Sequence, residues 1–254
     1  VEIMTDRERY RPGEKAVVLD TMSVNVEING DISVTTYDMT FHNPNSRILE
    51  GEFTFPLQDG QKVTRYALDV NGKLREGVVV EKEKARTAYE NTIRQQIDPG
   101  IIEKTVGNNY KTRIYPIPSN GYKRVVIAYT EVLKNKNGSL DYFLPLNYNQ
   151  KVNNFSLEIK MLKQESRPGG IEKIEKLEFD KMESGYYAKT SLKNYTPDKN
   201  VRISLPLDKK DKVYTEKIDN TAYFTAKLNL ENNYYREKPK AKKSTSVAAL
   251  NLPV

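Results

Sequence analysis

The 254-residue chain has no cysteine, no tryptophan and one histidine, and these absences exclude several kinds of chemistry. Without cysteine there is no disulfide, no thiolate metal ligand and no Cys-His catalytic pair. A Ser-His-Asp triad would have to use His42, whose neighbours Phe41 and Asn43 indicate a strand end entering a turn. No glycine-rich loop is followed by the Lys-Ser/Thr pair that binds phosphates. We therefore expect a protein that is not an enzyme and needs no cofactor.

Long apolar runs are also missing. No stretch approaches the roughly 20 consecutive apolar residues that span a bilayer, so we expect no membrane-spanning segment. The chain begins at Val1 without a signal-peptide pattern, and we expect it to follow a processed or removed segment. Apolar residues make up 37% of the chain. They fall in regularly spaced runs, which argues against disorder.

Positive charge is in modest excess, with 41 basic against 34 acidic residues and a net charge of +7. The one dense basic run is Arg-Glu-Lys-Pro-Lys-Ala-Lys-Lys at 236–243. Such a run can bind nucleic acid or anionic lipid. Pro239 and the absence of a recognition helix or aromatic platform favour a solvated linker instead. We expect no nucleic-acid partner.

Most of the chain shows the period-two alternation of β-strands. Apolar residues alternate over 23–28, 53–57, 66–70, 155–161, 171–179, 186–192 and 201–205. Asn-Gly pairs, the strongest short signal for a hairpin turn, stand at 29–30, 71–72 and 137–138. Ile32 and Val34 keep one phase of the alternation and Tyr37 keeps the other, which predicts a bulge near Thr35-Thr36.

One amphipathic helix is predicted to interrupt this pattern after a strand that ends at Val80. Over residues 81–94 the helical stripe consists of Ala85, Ala88, Tyr89, Thr92 and Ile93. The charged face available to a partner consists of Lys82, Arg86, Glu90 and Arg94. The fold class that follows is mainly β, an antiparallel β-sandwich with one inserted helix and additional connecting strands.

Three motifs in this order resemble the VIT domain, the module named after vault protein and inter-α-trypsin inhibitor heavy chains. They are an aromatic-proline strand end at 53–57, a Val-x-Glu-Lys-type helix start at 80–89, and an Ile-Pro, Gly and Val-x-Ile-x-Tyr strand at 117–129. The Ser119-Asn120 pair makes the turn one residue longer than the usual Pro-Gly. The motif residues, to which we assign structural roles, are Phe55, Pro56, Glu81, Lys82, Ala85, Tyr89, Pro118, Gly121 and Tyr129.

The resemblance implies a position in a longer protein, upstream of a von Willebrand A domain. We divide the chain into a VIT-like sandwich (1–149), an associated strand region (150–230), a basic linker (231–246) and the start of an A-type domain (247–254). Residues 150–230 belong to the same sandwich or form a second one. The implied role is a non-catalytic protein-interaction or scaffold module of a secreted, extracytoplasmic or cell-envelope protein.

Two further patterns concern ligands. Asp31-Ile-Ser-Val-Thr35 is close to the metal-binding Asp-x-Ser-x-Ser loop of A domains. That loop needs its aspartate at the carboxyl end of a parallel strand, whereas Asp31 starts a strand after a turn, so we expect no metal. The chain has 17 tyrosines, and exposed aromatic rings stack on sugars, so a carbohydrate-binding β-sandwich is the alternative to a protein-interaction module. Its candidate platform consists of the tyrosine pairs Tyr186, Tyr187, Tyr234 and Tyr235, since adjacent strand residues face opposite ways.

Overall fold

The computed structural model describes residues 2–4, 13–81, 101–146, 148, 150–172, 174, 177–207, 212–218 and 221–227. These residues are mainly in β-strands, which confirms the mainly β part of the predicted fold class. Within the described residues the one helical element is a 3-10 turn, Val106–Asn108. The predicted amphipathic helix falls after Glu81, outside the described residues.

In chain order, the strands are β1 (Glu2–Met4), β2 (Val18–Asn29), β3 (Ile32–Asn43), β4 (Leu49–Pro56), β5 (Lys62–Val70), β6 (Lys73–Glu76), β7 (Val78–Glu81), β8 (Ile101–Thr105), β9 (Asn109–Ile117), β10 (Gly121–Val132), β11 (Lys134–Lys136), β12 (Ser139–Leu144), β13 (Val152–Leu162), β14 (Gly169–Glu172), β15 (Asp180–Met182), β16 (Gly185–Tyr195), β17 (Val201–Pro206), β18 (Lys212–Ile218) and β19 (Thr221–Lys227).

The chain divides into two compact units, Val1–Pro206 and Leu207–Val254. The first contains an eight-stranded sheet in the order β15-β16-β13-β2-β3-β10-β5-β6, a five-stranded sheet β1-β4-β9-β8-β7 and a four-stranded sheet β11-β12-β17-β14. Their pairs are antiparallel except β13 with β2 and β7 with β8. The second unit contains the antiparallel hairpin β18-β19.

Residues 152–206 share their sheets with the N-terminal strands. Strand β13 lies beside β2, and β17 lies beside β12. Alternation predicts a strand over 171–179. Among the described residues of that range, 171 and 172 belong to β14, while Leu177 and Phe179 are buried outside any strand.

The Asn-Gly turns adopt the left-handed backbone that this pair favours. Asn71 and Gly72 have φ values of 54° and 78°, and Asn137 and Gly138 have 52° and 83°. Positive φ at both central residues is typical of the type I′ turn that suits two-residue hairpins. At the first pair the loop is shifted by one residue, because Asn29 pairs with Ile32 across Gly30 and Asp31.

The predicted bulge near Thr35-Thr36 is wrong. Strand β3 keeps one alternation throughout, with Ser33 and Thr35 on the buried face and Ile32 and Val34 exposed. The register shift is on β2, between Leu19 and Thr21. The apolar pattern misled because two hydroxyl residues are buried, where they have hydrogen-bond partners and their polar atoms are satisfied.

Aromatic side chains join the eight-stranded and five-stranded sheets. Tyr37 on β3 meets Phe55 on β4 edge to face, with ring centroids 5.3 Å apart. Phe41 meets Phe53 in the same way at 6.0 Å. Such pairs combine a large buried area with the preferred quadrupole geometry. The aromatic-proline strand end therefore supplies aromatic contacts between these two sheets.

Candidate interaction surface

The outer face of the eight-stranded sheet exposes branched apolar side chains at one end. Ile32, Val34 and Val132 are 48%, 39% and 66% exposed. Val132 lies directly opposite Ile32, and Thr130 lies opposite Val34, so the three share one face of β3 and β10. We call Ile32, Val34 and Val132 the branched patch. Sheet faces that contact only water are usually polar, so this patch is a candidate docking surface.

Polar side chains lie behind the branched patch, on the inner face of the same strands. The Ser33 hydroxyl donates to Glu131 Oε1 at 3.3 Å, and the Gln61 amide donates to Glu131 Oε2 at 3.1 Å. The Thr35 and Tyr142 hydroxyls are 2.8 Å apart. These bonds connect β3 to β10, to the residue before β5 and to β12. They explain why serine and threonine face inward and the branched residues face outward.

Three buried tyrosines complete this polar cluster. The Tyr37 hydroxyl donates to the Pro145 carbonyl at 3.2 Å. The Tyr129 hydroxyl is buried near those of Thr35 and Tyr142 but makes no hydrogen bond of standard geometry among the described residues. Burial raises the pKa of Tyr37 and of Tyr142 well above the ordinary value. Both phenols are therefore neutral at physiological pH, and neither acts as a base.

Glu131 is the one carboxylate of the described cluster. Burial raises its pKa, and the hydrogen bonds from Gln61 and Ser33 oppose that shift. Ser33, its hydroxyl partner, is fully buried and out of reach of a substrate. The pair therefore holds strands together and is not a nucleophile with its base.

The Ile-Pro and Gly motif forms a tight turn whose geometry requires glycine. The Gly121 amide donates to the Pro118 carbonyl at 3.2 Å. A Cβ atom on Gly121 would lie 2.8 Å from the Pro118 Cβ, closer than real contacts allow. Asn120 supplies the positive φ of the longer turn, at 46°. The motif residue Tyr129 follows in β10 as part of the buried cluster.

Asn43 anchors this turn, a role that its sequence neighbourhood does not predict. Its side-chain amide donates to the carbonyls of Arg47, Ile117 and Pro118 at 2.9, 3.2 and 3.0 Å. The side-chain oxygen of Asn43 accepts from the backbone N–H of Asn45 at 3.0 Å. The signal in the sequence is Asn-Pro-Asn after a strand, a turn pattern that reveals nothing about its distant partners.

The residues considered for a metal site or a sugar platform lie partly within the described part of the chain. Asp31 is exposed in the β2–β3 turn, and its carbonyl accepts from Leu133 at 2.7 Å. No group of three or more His, Asp or Glu side chains suited to a metal occurs in the described part of the chain. Tyr186 is buried, and Tyr187 is half-exposed on the opposite face of β16. The predicted residues outside the described ranges are Lys82, Ala85, Arg86, Tyr89, Glu90, Arg94, Tyr234 and Tyr235.

No helix within the described ranges is both long enough and apolar enough to cross a bilayer.

This geometry defines a class of domain. It is a mainly β unit that contains an aromatic-proline strand end and an Ile-Pro, Gly turn. Residues 19–129 match the family model of the Vault protein inter-alpha-trypsin domain, abbreviated VIT. The chain therefore carries a VIT domain, which extends from β2 to β10 and includes both motifs.

The curated relatives include two von Willebrand factor A domain-containing proteins of Dictyostelium discoideum. One is 28% identical over 135 residues, which is 50% of this chain and 14% of that protein. The other is 25% identical over 118 residues, which is 44% of this chain and 13% of that protein. The matched region spans about one seventh of each relative, so the chain corresponds to a small part of these proteins.

Among solved structures, an M1 zinc metallopeptidase from Deinococcus radiodurans is similar with a TM-score of 0.44 and 8% identity. The match covers 84% of this chain and 48% of that one. Similarity at this level carries no argument about the function of this chain.

Proposed function

We propose that this chain is a non-catalytic protein-interaction and scaffold module, an antiparallel β-sandwich that positions a von Willebrand A domain in a secreted or cell-envelope protein. The branched patch supports the interaction role, because it exposes apolar side chains that a partner could cover. The A domain is the partner we favour, because the relatives that share this VIT region are A domain-containing proteins.

The branched patch has the features of a small interface core. Ile32 and Val132 lie face to face across neighbouring strands, and Val34 extends the same row. Thr130 borders it and shares a hydroxyl contact of 3.3 Å with Thr64. An apolar centre with a polar rim is the usual anatomy of a protein interface. Burying one such side chain contributes about 1.5–3 kcal/mol before the costs of association.

A non-catalytic role is supported by the chemistry of the described residues. Ser33 is fully buried beside the half-buried Glu131, and the tyrosines next to them are held neutral. His42 packs its ring on Tyr122 at 4.8 Å. None of these groups combines an accessible nucleophile with a base. Incubating the chain with esterase and peptidase substrates tests this directly, since turnover above the buffer rate would refute it.

The experiment for the interaction role is a calorimetric titration of this chain with a separately produced A domain from the 28% identical Dictyostelium relative. We expect binding, and at least tenfold weaker binding by the Val132→Glu variant. The matched control is Val106→Glu, because Val106 is 90% exposed in the 3-10 turn, outside the eight-stranded sheet. No binding, or equal weakening by both substitutions, would refute the proposal.

The proposed location outside the cytoplasm is based on the resemblance to inter-α-trypsin inhibitor heavy chains, after which the VIT domain is partly named. Fractionation of cells that produce the native protein tests it. We expect the protein in the envelope or medium, and recovery in the cytosolic fraction alone would contradict the proposal.

A further inference from the structure

The outer face of the eight-stranded sheet changes character away from the branched patch. Across β16, β13 and β2, the residues Ser191, Ser156 and Ser23 lie in one row. The Ser156 hydroxyl donates to the Ser23 hydroxyl at 2.9 Å, which confirms that they share this face. Neighbouring strands are about 4.8 Å apart, so the row is a regular line of small hydroxyl groups.

A second row runs beside the first. Asn154 on β13 lies opposite Thr21 on β2, and Thr21 lies opposite Thr40 on β3. The side chains of both rows are exposed or half-exposed. We call these six residues the hydroxyl face: Ser23, Ser156, Ser191, Thr21, Thr40 and Asn154. Hydroxyl and amide groups both donate and accept hydrogen bonds, and their small size keeps the surface flat.

An exposed tyrosine borders the hydroxyl face. Tyr122 on β10 lies opposite His42 on β3, one row beyond Thr40. The two rings are 4.8 Å apart and inclined by 32°, so the imidazole supports one face of the phenol ring. Tyr122 is nevertheless 56% exposed. One aromatic surface is thus available beside two rows of hydrogen-bonding groups.

Charged residues also border the hydroxyl face. Asp20 accepts from the Thr21 hydroxyl at 3.0 Å, and Lys193 is exposed opposite Asn154. The others lie in ion pairs. Arg124 donates to Asp38 through two nitrogens, at 2.8 and 2.5 Å. Lys160 and Lys189 both contact Glu158, at 2.9 and 3.6 Å. Beyond these pairs the face is bordered by one lysine and one aspartate, so it has no excess of either charge and matches a neutral ligand better than an anion. It matches a hydroxylated ligand better than an apolar protein surface, which would leave its hydroxyl groups without partners.

We propose that the hydroxyl face together with Tyr122 is a binding site for a neutral polysaccharide. A sugar ring presents C–H groups on its faces and hydroxyls around its rim. Tyr122 would stack on a ring face, and the two rows would exchange hydrogen bonds with the rim of adjacent sugar units. The site is independent of the proposed protein interaction, because the branched patch lies at the other end of β3 and β10.

The test is affinity electrophoresis of the whole chain in gels that contain hydroxyethylcellulose, galactomannan or laminarin, with dextran sulfate as a charged control. We expect retardation by at least one neutral polymer. Tyr122→Ala should weaken this binding at least tenfold. Tyr115→Ala should leave it unchanged, since Tyr115 is 51% exposed but belongs to β9 of the five-stranded sheet.

A second variant covers the case in which Tyr122→Ala lowers stability. Ser156→Arg leaves the aromatic pair intact and places a long side chain across the rows, and it should also weaken binding at least tenfold. Retardation by dextran sulfate alone, or by none of the polymers, would overturn the proposal. Equal retardation of all the variants would also overturn it. Loss of A-domain binding in Tyr122→Ala, without polysaccharide binding, would assign this face to a protein instead.

Discussion

The buried tyrosines allow a comparison in which the same chemical change should have two different results. Removing the hydroxyl of Tyr142 breaks its 2.8 Å contact with Thr35, which is itself fully buried. A typical hydrogen bond contributes about 0.5–1.5 kcal/mol, and a buried partner left unpaired costs about 1–3 kcal/mol. We therefore expect Tyr142→Phe to lower the free energy of unfolding by about 1–3 kcal/mol.

The matched change at Tyr129 should cost far less. Its hydroxyl lies near those of Thr35, Tyr142 and Tyr37 but makes no hydrogen bond of standard geometry within the described residues. Tyr129→Phe therefore removes a desolvated polar group that is bonded at most weakly. We expect a free energy of unfolding within about 0.5 kcal/mol of the parent value, or slightly above it. Guanidinium unfolding followed by fluorescence measures both variants.

A double-mutant cycle adds an internal control. Thr35→Val removes the hydroxyl that faces Tyr142, so Tyr142→Phe should cost less in that background than in the parent. Residues in contact show interaction energies of about 0.5–3 kcal/mol, which the cycle can resolve. Equal losses for Tyr129→Phe and Tyr142→Phe, or no coupling between Tyr142 and Thr35, would refute this description of the cluster.

Two further predictions concern stability. Burial raises the pKa of Glu131 above its ordinary value of 4.5, because the folded protein accommodates the neutral carboxyl better than the carboxylate. The folded state therefore gains stability below pH 4.5, and this gain is lost as pH rises through the raised pKa. At neutral pH, Glu131→Gln should therefore melt at a higher temperature than the parent, and at about pH 3.5 the two should melt at the same temperature. Glu76→Gln is the matched control. Its ion-paired carboxylate has a lowered pKa, so this variant should melt at a slightly lower temperature than the parent at neutral pH. A Cβ on Gly185 would lie 1.8 Å from the Met161 carbonyl oxygen, so Gly185→Ala should cost more than about 3 kcal/mol in guanidinium unfolding. Gly60→Ala, also at positive φ but in open space, should cost about 1 kcal/mol, and equal losses would show that the clash at Gly185 is relieved by a shift of the chain.

Local features of this fold were predictable from the sequence because they depend on neighbouring residues. The Asn-Gly turn at 71–72 requires positive φ at two positions, and that pair adopts it readily. Alternation marked Phe53 and Phe55 as residues with the same orientation, and both lie in the core. The VIT motifs added the order of the strands around them, and the family match covers those residues.

Long-range features could not be predicted in this way. The parallel pairing of β13 with β2 joins residues such as Ser156 and Ser23, which are 133 positions apart. Nothing in either strand specifies the other, because register is set by burial across the whole sheet. The same limit hid the contact of Tyr122 with His42 and the hydroxyl rows, which exist only after the strands are paired.

The branched patch was not predictable for a more specific reason. The apolar character of Ile32 and Val34 predicts a core orientation for both, and their slip relative to Tyr37 predicts a bulge. The structure places Ser33 and Thr35 inside, where Glu131 and Tyr142 satisfy their hydroxyls. Buried hydrogen bonds between distant strands thus reverse the expected orientation and leave the branched residues exposed.

Site-specific photocrosslinking shows whether the branched patch contacts an A-type domain. A benzoylphenylalanine placed at Val132 should crosslink to the Dictyostelium A domain on irradiation, whereas the same group at the exposed Val106 should not. Crosslinking with equal yield from both positions, or from neither, would show that the branched patch is not the contact surface.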